Sequence, residues 1–194
     1  MRFPLVPVLW AISLAQLVTC LLAGNEAYKL EIEPDIEGGT ELEVFASGFN
    51  KGKIPILRAI AYPEDGLLRI AEAWTGHDET PVKLFTSQIV SAIWTESGHS
   101  KASLKKIQID DVTNIKTVAA ARIARDEQGK EKTPFDITKA NAKGWEAMLK
   151  SPFGKVAERI AKDMSKEVSR VSLGNYYIIG KYGKREDTLG FDLT

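Results

Sequence analysis

The chain contains only two histidines, and histidine is the one side chain whose ordinary pKa lies near neutrality. They sit in similar settings, Trp74-Thr75-Gly76-His77-Asp78-Glu79 and Trp94-Thr95-Glu96-Ser97-Gly98-His99. His77, flanked by Asp78 and Glu79, has the makings of a general base or a weak metal ligand. A helix predicted between the two segments would separate the imidazoles by roughly 25 Å, at about 1.5 Å per residue. A shared metal or a paired acid–base mechanism is therefore not expected. Both histidines read first as loop residues at helix boundaries, with His77, Asp78 and Glu79 as the weak catalytic candidates.

Nucleophilic catalysis requires an activated Ser, Thr or Cys beside an oriented base. Ser97-Gly98-His99-Ser100 places hydroxyls next to an imidazole in sequence, but adjacency in sequence does not create that geometry. No Gly-x-Ser-x-Gly elbow occurs. Neither glycine-rich phosphate-binding pattern is present. No metal-ligand spacing or cofactor motif stands out, so no metal site and no cofactor is assigned. Hydrolysis by two carboxylates remains open, because acidic residues from distant segments can meet in a cleft.

Lys155, Arg159, Lys162, Lys166 and Arg170 recur at steps of four, three, four and four. On one continuous helix they would form a single basic stripe, a candidate surface for an acidic partner. Glu158, Asp163 and Glu167 lie close enough to pair with it, which makes a solvated outer face the plainer account. No aromatic residues interleave the stripe, so nucleic-acid binding is not expected. A second charged region runs from Glu26 to Glu43 with seven carboxylates. It lacks calcium-loop spacing and reads as an edge strand kept soluble by charge, or as a binding edge for a basic partner. Tyr176, Tyr177 and Tyr182, with Lys181, Lys184 and Arg185, form a third candidate patch if exposed.

The elements that must position these residues follow from periodicity. Tyr28 to Glu33 and Thr40 to Ala46 alternate apolar and charged residues, the signature of half-buried strands. Ile54–Tyr62 and Leu67–Trp74 flank Pro63-Glu64-Asp65-Gly66 and predict a hairpin. Thr80-Pro81 opens a helix whose buried stripe comprises Val82, Phe85, Ile89, Ala92 and Ile93. Leu104–Val112 and Ile115–Arg125 read as strands, followed by a charged loop from Asp126 to Lys132. Thr138 to Lys150 reads as a helix broken at Ser151-Pro152. A second helix then carries Phe153, Val156, Ala157, Ile160, Ala161, Met164, Val168 and Val171 on one face, with Gly174-Asn175 as its cap. Tyr176 to Ile179 suits a buried final strand, and Lys184 to Thr194 a polar tail. The expected fold is α+β, an antiparallel β-sheet packed against about three α-helices in a single domain.

Composition bounds the rest. The formal net charge is zero. The halves differ, with 9 Lys/Arg against 14 Asp/Glu from Asn25 to Asp110 and 16 against 12 thereafter. Neither imbalance marks a dedicated nucleic-acid or membrane binder. Arg2 precedes an uncharged run from Phe3 to Leu22, which ends at the small residues Ala23 and Gly24. That order is the pattern of a secretory signal peptide over residues 1–24, leaving a secreted domain at 25–194. The competing membrane anchor is disfavoured by Pro4 and Pro7, so no stable membrane insertion is expected after cleavage. The single cysteine, Cys20, lies inside the segment, and the mature domain would carry no thiol and no disulfide.

An export signal, a small single domain and no evident catalytic motif together resemble secreted effectors of plant-associated fungi or similar microbes. The resemblance covers the leader and the general build. It implies a virulence-type protein that binds a host protein, with possible delivery into the host cytoplasm, where a cysteine-free body would survive reducing conditions. Two other readings stand beside it. One is a secreted hydrolase or nuclease using carboxylates and His77. The other is a bacterial periplasmic binding module, lipid-anchored if Cys20 carries lipid.

Overall fold

The computed structural model describes residues 28–34, 39–46, 54–73, 90, 94, 99–179 and 183–194. Strand β1 (Tyr28–Pro34) pairs antiparallel with β2 (Thr40–Ala46), setting Glu31 opposite Glu43 and Glu33 opposite Glu41. The carboxylates thus share one face, as their spacing predicts. Leu42 and Val44 turn the other way and are buried. The expected hairpin is present as β3 (Leu57–Tyr62) and β4 (Leu67–Ala73), turned by Pro63 to Gly66. Arg58 on β3 pairs with Glu41 and lies 3.7 Å from Glu43. Partial burial and the neighbouring Glu41 raise the pKa of Glu43, and Arg58 opposes them.

The leader expected at 1–24 lies outside the described residues, as does most of the helix expected after Thr80. Val90 and Trp94 are helical and buried, and the Trp94 indole N–H donates to Ser103 Oγ at 2.8 Å. Strand β5 (Lys106–Val112) then runs parallel to β4.

Four expectations from sequence need correction beyond this point. Ile115–Arg125 is not a strand but most of helix α1 (Ile115–Gln128). Its β-branched start looks strand-like, yet the alanines that follow favour helix more than any other residue. The Asn114 side chain accepts from the Thr117 amide at 3.0 Å, and Gly129 closes the helix in the left-handed region at φ 63°. Strand β6 (Phe135–Ile137) precedes helix α2 (Ala142–Lys150). Ser151-Pro152 breaks the helical run as expected, with Ser151 capping and Pro152 beginning helix α3 (Pro152–Asp163).

The second correction is that α3 stops at Asp163. Ser165 takes a positive φ of 58°, the chain reverses, and Val168 and Val171 lie on strand β7 (Val168–Leu173). Their distances from Met164 imitate helical spacing, but Val171 and Leu173 alternate with Arg170 and Ser172. Gly174-Asn175 is accordingly no helix cap. It joins β7 to β8 (Tyr176–Ile179). Third, β8 is not a buried strand: Tyr177 and Ile178 are exposed.

The last correction is the largest. Lys184 to Thr194, expected as a polar tail, belongs to β9 (Gly183–Leu193). β9 pairs with β5 along one edge and with β7 and β8 along the other. Leu189, Phe191 and Leu193 point into the core between Thr188, Gly190 and Asp192. The sheet order is β1-β2-β3-β4-β5-β9-β7-β6, antiparallel except for β4 and β5. The fold is α+β, a nine-stranded sheet with three α-helices among the described residues. One hydrophobic core joins the sheet to α1, α2 and α3 through Ala121, Met148 and Ile160.

A buried ion pair crosses this core. The Arg125 guanidinium on α1 donates to both carboxylate oxygens of Glu186 on β9, at 3.0 and 2.5 Å. Both side chains are almost fully buried, at 2% and 1% exposure. Burial pushes the Glu186 carboxyl above its ordinary range, against the lowering effect of Arg125. Removing one partner strands the other as a buried charge. Arg125→Met and Glu186→Leu should each cost about 3–5 kcal/mol in urea unfolding, with the Arg125→Met/Glu186→Leu double variant well short of their sum. Additive losses would show that the two groups are not coupled.

Candidate functional site

The polar face of the sheet is built by register. Lys106 lies opposite Asp192, and Gln108 opposite Gly190. On the far side of β9, Arg170 pairs with Asp192 and Ser172 with Gly190, while Asp136 sits opposite Ser172. Alternation puts these side chains on the face turned away from the buried Ile107, Ile109, Phe191 and Val171. Because residue 190 has no side chain, the face sinks there into a cleft of about 420 Å³. Its walls include Lys106, Gln108, Phe135, Ser172, Asn175 and Asp187.

Close approach accounts for the glycine. A Cβ on Gly190 would stand 2.9 Å from Ser172 Oγ and 3.0 Å from Lys106 Cε. At the end of the cleft, a Cβ on Gly174 would fall 1.8 Å from Asp187 Oδ1, so no side chain fits without moving that carboxylate.

Most charged groups around the cleft already have partners. Arg69 binds Asp110 at 2.5 Å. Arg170 binds Asp192 and reaches Asp136 at 3.3 Å. Asp187 accepts from the Asn175 amide at 2.5 Å and from its side chain at 2.9 Å. Partial burial alone would raise the Asp187 pKa, but the bonds from Asn175 and Thr188 outweigh it and hold the carboxyl below its ordinary range. The Lys106 side chain differs, making no hydrogen bond or ion pair among the described residues.

The residues nominated from sequence are distributed otherwise. His77, Asp78 and Glu79 lie outside the described residues. His99 is half-buried, and its amide donates to the Trp94 carbonyl at 3.0 Å. Lys155, Arg159 and Lys162 share the exposed side of α3. Lys166 follows the chain reversal and is half-buried, and Arg170 stands on the opposite face of the sheet. The stripe is thus three residues long, not five. Its expected pairing with Glu158, Asp163 and Glu167 is also absent: among the described residues Glu167 meets Lys139 at 3.4 Å, and Lys155, Arg159 and Lys162 meet no carboxylate. In the tyrosine patch, Tyr177 lies beneath Arg185 with 5.4 Å between guanidinium and ring centre. Tyr182 and Lys181 are outside the described residues.

Sequence reading missed the cleft because its walls come from β5, β6, β7 and β9. Alternation within 106–110 and 188–192 was its only local trace. No three His, Cys, Asp or Glu side chains gather as a metal-binding group among the described residues.

Asp187 offers a test of how the cleft is held. Its folded pKa is depressed, so its stabilising contribution is present above the unfolded value near 3.8 and is lost as pH falls through the lower folded value. Asp187→Asn should therefore lower the Tm at neutral pH, with the difference from wild type shrinking below about pH 4. A pH-independent difference would rule out the carboxylate charge as its source. Set against known proteins, the chain matches no family model, no curated protein and no solved structure.

Proposed function

We propose that this chain is an exported, effector-type binding protein that engages an acidic surface of a host protein through the outer side of α3. The observation that carries this reading is the basic row Lys155, Arg159 and Lys162, without an ion pair among the described residues and held in fixed spacing by a helix whose other side is locked into the core. Unpaired cations in ordered positions raise the rate of encounter with a complementary acidic surface and set its orientation. Binding suits the cleft side as well: Asp110, Asp136, Asp187 and Asp192 are held by fixed partners, an arrangement better suited to recognition than to moving protons.

Export is part of the reading. Expressed in a secreting host, the protein should appear in the medium with an N-terminus near Asn25, as read by N-terminal sequencing. Retention of residues 1–24 in the membrane fraction would count against it.

The binding claim is tested by affinity capture from host extract. Wild type, Lys155→Glu/Arg159→Glu/Lys162→Glu and Arg170→Glu are compared. A partner retained by wild type and Arg170→Glu should be lost with the triple reversal, and raised salt should reduce its capture about tenfold or more. Equal recovery by all three proteins, or nothing above background, would remove α3 as the binding surface.

A further inference from the structure

Of the sheet's open edges, β1 is the one long enough to take a further strand. It ends the strand order beyond β2, and among the described residues nothing pairs with its outer side. β6, at the opposite end, has three residues and follows Pro134. On β8, the outward amide of Tyr176 is taken by the Lys132 carbonyl at 3.2 Å. α1 and α3 pack mainly against β9 and β7, away from β1.

Ladder alternation fixes which β1 residues face outward. The Val44 carbonyl accepts from the Ile56 amide at 2.7 Å, on the side of β3. Successive residues turn their backbone groups to opposite sides of a strand. Phe45, Glu43 and Glu41 therefore face β1, where they stand opposite Lys29, Glu31 and Glu33. The residues between, Tyr28, Leu30 and Ile32, present their N–H and C=O groups at the open edge. Pro34, next in that row, has no N–H.

Glutamates on an edge ordinarily discourage another strand. A second copy of β1 is an exception. A two-fold axis through Leu30 sets Lys29 opposite the partner's Glu31, and Glu31 opposite the partner's Lys29. Leu30 then exchanges both backbone bonds with the partner's Leu30, and Tyr28 with the partner's Ile32. None of the outward groups in the row is left over. The Lys–Glu pairs fall at non-hydrogen-bonded positions, where side chains across a ladder are closest. An axis through Glu31 instead places that residue against itself and brings Pro34 into the bonded row. An axis through Ile32 places Glu31 against Glu33 twice. Opposite charges facing each other stabilise a ladder and like charges destabilise it. Two like pairs already cross from β1 to β2, Glu31 with Glu43 and Glu33 with Glu41, and an incoming lysine beside Glu31 offsets the first.

We propose that this protein forms a symmetric dimer by antiparallel pairing of β1 with β1 of a second copy, Leu30 facing Leu30 and Lys29 facing Glu31. Such an interface uses the same patch on both copies and closes on itself. It is separate from the acidic-partner surface on α3.

The test is sedimentation equilibrium of the protein as the secreting host delivers it, from about 1 μM to about 1 mM. Wild type should pass from monomer to dimer within that range. Lys29→Glu and Glu31→Lys each turn both opposite pairs into like ones and should weaken the dimer about tenfold or more. An equimolar mixture of the two variants should associate again, because each supplies the charge the other lacks. The Lys29→Glu/Glu31→Lys double variant should dimerise by itself as wild type does. The triple reversal on α3 should also dimerise normally, so loss of either activity leaves the other measurable. A wild type still monomeric at the highest concentration, single variants that dimerise undiminished, or a mixture that stays monomeric would each overturn the proposal. A monomer that instead binds a synthetic peptide alternating valine and lysine would overturn it in favour of a foreign basic strand.

Discussion

Arg125 is the residue on which the second half of the structure depends. An arginine cannot shed its charge inside a protein, so burying one commits the surrounding chain to supply acceptors. Here four residues do so. Glu186 takes two bonds, Gly174 accepts through its carbonyl at 2.7 Å, and Thr133 and Lys130 accept at 2.8 and 3.4 Å. The rings of Phe135 and Tyr176 stand 5.3 and 6.0 Å from the guanidinium carbon, close enough for cation–π attraction. One side chain on α1 thus fixes the 130–134 loop, the entry to β6, the β7–β8 joint and the middle of β9. A hydrophobic contact in its place would tolerate sliding. The planar fork of a guanidinium specifies where each carbonyl must be.

That arrangement also builds the cleft. Phe135, Gly174 and Asn175 line it, and each touches or adjoins a group bonded to Arg125. Glu186 faces the helix side with Arg125, while its neighbour Asp187 faces the cleft and is held by Asn175. Two adjacent carboxylates on β9 therefore have opposite environments. Burial raises the pKa of the first, and hydrogen bonding lowers that of the second. The buried pair acts on the cleft through position alone, by setting its walls, and none of its atoms is available to a ligand.

The legible parts of the fold were those whose pattern needs no distant partner. The β1–β2 and β3–β4 pairs combine alternation with turn residues, and the α2–α3 joint combines a serine cap with proline. The errors cluster where local pattern admits two periods. Met164, Val168 and Val171 fit helical spacing, but Val171 and Leu173 also fit alternation, and pairing with β9 selects the strand. β9 itself was obscured by the charged run from Lys184 to Asp187. Glu186 reads as a solvated residue until Arg125, sixty-one positions earlier, is placed beside it. Ile115–Arg125 failed for the opposite reason, since β-branched residues at its start outweighed the alanines that follow. The basic residues of α3 were visible because they lie on one element, whereas Lys106, Ser172 and Gly190 meet only through the β5–β9–β7 ladder.

The two charged surfaces differ in a way that follows from what lies under them. α3 keeps a row of cations with no ion pair among the described residues because Ser151 and the buried Val156, Ala157, Ile160 and Ala161 hold the helix without help from surface ion pairs, which contribute little in water. On the sheet, side chains from adjacent strands face one another directly, and an unpaired charge would meet its like across the ladder. Arg58, Arg69 and Arg170 each answer a carboxylate there. Lys106 escapes this pairing because its neighbour across the ladder, Asp192, is already held by Arg170. Its amine is left beside Gly190, where an added Cβ would stand 3.5 Å from Nζ. The same pairing that occupies Asp192 therefore leaves the Lys106 ammonium without a carboxylate among the described residues.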